Sequence, residues 1–94
     1  MALARVVTFE GVSPEQAERV ADEIRSTGRP DDVPATELVM LHDAAGERAV
    51  VIIFFDNEED YAQGDRVLSA MPADMTPGRR ASVARCEVAA RMTG

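Results

Sequence analysis

Ala49-Val50-Val51-Ile52-Ile53-Phe54-Phe55-Asp56 is the longest unbroken apolar run in the chain. It is short for a helix and rich in β-branched and aromatic residues, so it predicts a central β-strand. Side chains alternate across a strand. Val51, Ile53 and Phe55 therefore face one way, and Val50, Ile52 and Phe54 the other. Both faces are apolar, and both need a cover.

Working outward, Leu3–Glu10 (LARVVTFE) predicts a first strand. Ser13-Pro14-Glu15-Gln16 then opens a helix, with Ser at the N-cap, Pro at the first helical position and Gln at the third, a capping box. Ala17, Val20, Ala21 and Ile24 form its narrow apolar stripe, and Gly28 suits a left-handed C-terminal cap. Arg29–Ala35 reads as a loop. Thr36–His42 predicts a second strand, and Asp43-Ala44-Ala45-Gly46 turns it into the central one as an antiparallel hairpin. Asp56 or Asn57 caps a second helix whose first turn holds Glu58, Glu59 and Asp60, placed to suit the helix dipole. Tyr61, Gly64, Leu68 and Met71 share its inner face, where Gly64 implies close approach of helix to sheet. Pro72 stops that helix, Thr76-Pro77-Gly78 turns the chain, and Ser82–Met92 predicts the last strand.

The order β-α-β-β-α-β is that of a ferredoxin-like α+β domain with a four-stranded antiparallel sheet, one domain over 1–94. Two helices cover one face of such a sheet. Leaving Val50, Ile52 and Phe54 bare on the other forgoes roughly 1.5–3 kcal/mol each. A second copy packed face to face is the simplest cover, so a homodimer is expected. The competing reading is a monomer screened by loops and the C-terminal tail.

A formal net charge of −7 over 94 residues argues against nucleic acid and anionic membrane surfaces. No apolar stretch approaches the ~20 residues of a membrane span. Met1-Ala2-Leu3-Ala4-Arg5 runs straight into a strand pattern with no signal peptide in view, and the single Cys86 has no disulfide partner in the chain. A cytoplasmic location is expected.

Val51–Asp60 (VIIFFDNEED) resembles the strand, aromatic and acidic helix start of the dimeric α+β barrel superfamily. That superfamily includes antibiotic-biosynthesis monooxygenases, haem-degrading enzymes and stress-responsive barrel proteins. Pro34-Ala35-Thr36-Glu37 and Thr76-Pro77-Gly78-Arg79-Arg80 also look like phrases in small actinobacterial proteins to which no activity is attached. The superfamily often carries Trp at the end of this strand and, nine positions on, the His its haem-binding members use as iron ligand. This chain has Phe55 and Gly64 there. The resemblance therefore implies no haem and no other cofactor, and leaves open cofactor-independent oxygenation that relies on the acidity of the substrate.

Candidate residues follow. His42, beside Asp43, has the chemistry of a general base oriented by a carboxylate; the plainer reading is a half-exposed hairpin residue. Tyr61 is a possible hydrogen-bond donor into a pocket. Cys86 falls on the apolar face of the last strand and reads as a buried core thiol. Arg5, Arg85, Glu87 and Arg91 either line a cavity or pair as ions. One His and one Cys offer no metal-ligand spacing, so no metal is expected. The leading functional expectation is a small apolar or aromatic ligand held between sheet and helices by Phe9, Ile53, Phe55, Tyr61, Leu68 and Arg5. The alternatives are a cofactor-independent monooxygenase assisted by His42 and Tyr61, and a structural or partner-binding dimer.

Overall fold

The computed structural model describes residues 2–28, 30–71 and 77–93. Its elements are β1 (Leu3–Glu10), α1 (Pro14–Thr27), β2 (Glu37–Asp43), β3 (Arg48–Phe55), α2 (Glu58–Ser69) and β4 (Arg79–Glu87). The strands form one antiparallel sheet in the order β2-β3-β1-β4. This is the ferredoxin-like arrangement predicted from the element order.

Both helices begin where the sequence signals them. Ser13 Oγ accepts from the Gln16 backbone N–H, and the Gln16 side chain accepts in turn from the Ser13 N–H. Asn57, not Asp56, caps α2, accepting from the Asp60 N–H at 2.8 Å. Gly28 takes φ 71° and ψ −153°. That conformation needs glycine, but it is not the left-handed helical cap expected.

The register sorts the side chains. Leu3, Arg5, Val7 and Phe9 of β1 and Ala49, Val51, Ile53 and Phe55 of β3 face the helices. Two apolar clusters lie beneath them. One joins Leu3, Ile53 and Phe55 to Tyr61 of α2 and to Val33 and Ala35 of the loop after α1; the other joins Val7, Phe9 and Ala49 to Val12 and Ala17. Phe55 and Tyr61 meet edge to face, with ring centroids 5.4 Å apart. Gly64 sits directly over Phe55: a Cβ built on it would lie 2.5 Å from Phe55 Cζ. The close approach inferred from that glycine is real.

The opposite face carries Val39 and Leu41 of β2, Val50, Ile52 and Phe54 of β3, Val6 of β1, and Ala84 and Cys86 of β4. No helix covers it. Two expectations fail here. Cys86 is exposed rather than a core thiol, because it lies on β4, an edge strand exposed along its whole length. The last strand is Arg79–Glu87 rather than Ser82–Met92. Its partner β1 begins at Leu3, opposite Glu87, the last residue of the ladder. Past it the Val88 N–H bonds to the Ala2 carbonyl, and Arg91 lies over the helix-free face, 4.4 Å from the Phe54 ring centroid. Arg79 and Arg80 open β4, and Arg79 pairs with Glu10. The proposed stop at Pro72 and the first residue of the Thr76-Pro77-Gly78 turn lie outside the described residues.

Every residue of β4 is exposed, on both faces. Helix α2 packs on β1 and β3, and α1 on β2.

Candidate functional site

A cleft of about 330 Å³ lies between the helices and the sheet. Its walls are Ile24 at the end of α1, the loop from Gly28 through Pro30, Val33 and Ala35, Leu38 and Ile53 on the sheet, and Leu68 of α2. Thr36 and Glu37 supply the polar rim. Val33 and Ala35 are buried here, although they belong to a loop full of Pro and Asp. The Val33 N–H bonds to the Pro30 carbonyl and the Ala35 N–H to the Val33 carbonyl. These two bonds fold the loop so that its apolar side chains point inward.

Of the six ligand-binding residues expected from sequence, Ile53 and Leu68 line this cleft. Phe55 and Tyr61 lie in the packed cluster beneath α2, and Phe9 in the other cluster, near the α1 N-terminus. The sequence placed the pocket between sheet and helices, but the aromatic residues fill core rather than cavity. Ile24, Pro30, Val33, Ala35 and Leu38 were missed. The available signal was Val33 itself, an isolated apolar residue in a polar loop.

Arg5 is buried at 3% exposure under α2. Its Nε donates to Asp65 Oδ1 at 2.9 Å, and its Nη2 to Ser69 Oγ at 3.3 Å. Arg85, directly across the ladder from Arg5, donates to Glu58 Oε1 at 2.8 Å and lies 5.5 Å from the Tyr61 ring centroid. Arg91 pairs with Glu37 at 3.5 Å. Each arginine of the strand group is thus engaged by a carboxylate. The acids on α2 were missed as partners, although a charged residue on an inner strand requires one, and Asp65 stands one helical turn after Tyr61 on the same face.

Burial pushes the Tyr61 phenol above the ordinary value of 10.0, with the nearby Asp65 carboxylate adding to the effect and Arg5 and Arg85 opposing it. The phenol is a donor at neutral pH and a poor base. His42 Nε2 donates to the Val12 carbonyl at 3.1 Å. Asp43 does not orient it. The Asp43 carboxylate accepts instead from the Gly46 N–H and from Arg48 at the hairpin turn, and these bonds hold it below the usual carboxylate range. His42 pairs with Ala49, while Tyr61 packs on Phe55, six residues further along β3. At ~3.3 Å per residue the two stand roughly 20 Å apart. The structure does not bring them together. Among the described residues, no cluster of His, Cys, Asp and Glu is arranged to hold a metal, and no helix is long and apolar enough to cross a membrane.

No family model matches the chain, and no curated protein matches it. Among solved structures it is similar over its whole length, and over the whole of the other chain, to a protein of Chloroflexus aurantiacus J-10-fl described as a "putative Antibiotic biosynthesis monooxygenase". The TM-score is 0.62 at 10% sequence identity. The class that the fold defines is therefore a ferredoxin-like α+β domain, an architecture the two proteins share. At that identity the likeness is one of fold.

Proposed function

We propose that the protein is a homodimeric α+β barrel that binds a small apolar or aromatic molecule in the cleft between its helices and sheet. The cleft carries the reading. It is an apolar depression within the ~300–1,000 Å³ range of small-molecule sites, walled by side chains from both helices, the sheet and a folded loop. The dimer is supported by the helix-free face, where half-buried Val50, Ile52 and Phe54 lie beside exposed Leu41 and Cys86. A second copy seated on that face would bury them and leave the cleft open on the far side of each sheet. A cytoplasmic setting suits the unpaired Cys86. Solvent extraction of the purified protein, followed by mass spectrometry of the released small molecules, tests the binding reading. Wild type should release a compound that a Leu68→Trp variant, folded by circular dichroism but with the cleft filled, does not. Identical extracts from the two would overturn the reading.

A second reading, cofactor-independent oxygenation of an aromatic or polyketide-like substrate, draws on the likeness to the C. aurantiacus protein. In it either Tyr61 donates to a substrate oxygen or His42 takes the proton from the substrate. The separation of these two residues requires that only one of them touch the substrate. Oxygen uptake with hydroxynaphthalenes or anthrones that is lost in Tyr61→Phe or His42→Ala would favour it. No uptake across such a panel would count against it.

A further inference from the structure

Resting on the cleft reading above, we infer that the molecule taken there is uncharged and aliphatic. The apolar wall is made of Ile, Leu, Val, Ala and Pro side chains, with no aromatic ring among them. The nearest rings, Phe55 and Tyr61, are packed against each other in the core and offer no face to a guest. An aromatic ligand gains specific stabilisation from offset or edge-to-face partners. This wall supplies none, whereas branched aliphatic side chains fit a flexible chain as well as they fit each other.

An anion fares worse. The N–H groups of Gly28, Val33 and Thr36 already donate, to the carbonyls of Ile24, Pro30 and Phe54. Pro30 has no N–H to give. The Thr36 hydroxyl is bonded to the Phe54 carbonyl, and the Glu37 side chain pairs with Arg91 on the opposite face of the sheet. A carboxylate or phenolate entering the cleft would lose its hydration and meet no charged donor among the described residues of its wall. The volume is about 330 Å³, roughly eleven times the ~30 Å³ share of a liquid water molecule. An aliphatic chain of about ten heavy atoms fits.

The test is methyl-resolved NMR on protein labelled at Ile, Leu and Val, titrated in parallel with 1-octanol, octanoate and 1-naphthol. Octanol should shift the methyls of Ile24, Ile53 and Leu68 saturably, with octanoate and naphthol at least about tenfold weaker at the same methyls. In Leu68→Trp the octanol response at Ile24 should vanish, while the Val7 methyls, in the other cluster, keep their wild-type positions. Naphthol or octanoate binding as tightly as octanol would overturn the aliphatic assignment and leave the cleft standing as a site. Octanol shifts confined to Val50 and Ile52 on the opposite face, shifts at Ile24 that survive Leu68→Trp, or no shift with any of the three probes would overturn both readings.

Discussion

Arg5 Nε stands 2.9 Å from Asp65 Oδ1, an ion pair that ties the inner strand β1 to helix α2 across sixty residues of chain. The arginine is buried, while the Asp65 side chain keeps 42% of its surface in water. Breaking a fully buried pair typically costs about 3–5 kcal/mol. Solvent at Asp65 reduces that, so Asp65→Ala should destabilise the protein by roughly 2–3 kcal/mol in urea unfolding. Arg5→Met combined with Asp65→Leu should recover most of the loss, since no charge is then left buried. A double variant less stable than Asp65→Ala would show that the pair is worth more than its apolar replacement.

Gly64 gives a prediction opposite in sign to helix propensity. On an exposed face, Gly→Ala would gain about 1 kcal/mol. Here the added methyl meets the ring of fully buried Phe55, and overpacking of this kind costs about 1–3 kcal/mol. Gly64→Ala should therefore lower the melting temperature, and Phe55→Leu should reduce its effect in a double-mutant cycle. A stabilised Gly64→Ala would mean that helix and sheet are further apart than described.

The hairpin turn carries a pH dependence. The Asp43 carboxylate is depressed in the folded state by the Gly46 N–H first and then by Arg48. A depressed acid stabilises the fold above its unfolded pKa, about 3.9, and that contribution is lost as pH falls through the lower folded value. Asp43→Asn should thus cost a constant amount of stability above about pH 5 and progressively less below pH 4. Chemical denaturation of both proteins between pH 3 and 7 checks this. A difference independent of pH would remove the ionised carboxylate as the cause.

What the sequence made legible was local. The Ser13 capping box, the Asn57 cap, the Gly64 contact and the two-faced strand β3 each depend on residues within a turn or on strict alternation, and each is found. What it hid depended on distant partners. Alternation put Cys86 on an apolar face, but it does not say that β4 is an edge strand exposed along its whole length. The end of β4 lies opposite the first residue of β1, and the partner of Arg5 is set by how α2 crosses the sheet. The cleft is hidden for the same reason: its walls come from α1, the loop after it, the sheet and α2. The aromatic residues named as its lining are the ones a small core could least spare.

In the proposed assembly two copies meet through their helix-free faces, and the cleft on the other side of each sheet stays available to a small apolar molecule. Native mass spectrometry of wild type and Ile52→Asp, each followed by a denaturing run, tests it most directly. Ile52 lies on the bare face, outside both core clusters, so the variant should fold. Wild type should be a dimer carrying extra mass that disappears on denaturation, and Ile52→Asp a monomer that retains the same extra mass per chain. A wild type that is monomeric at micromolar concentration, or an Ile52→Asp variant that remains dimeric, would contradict it.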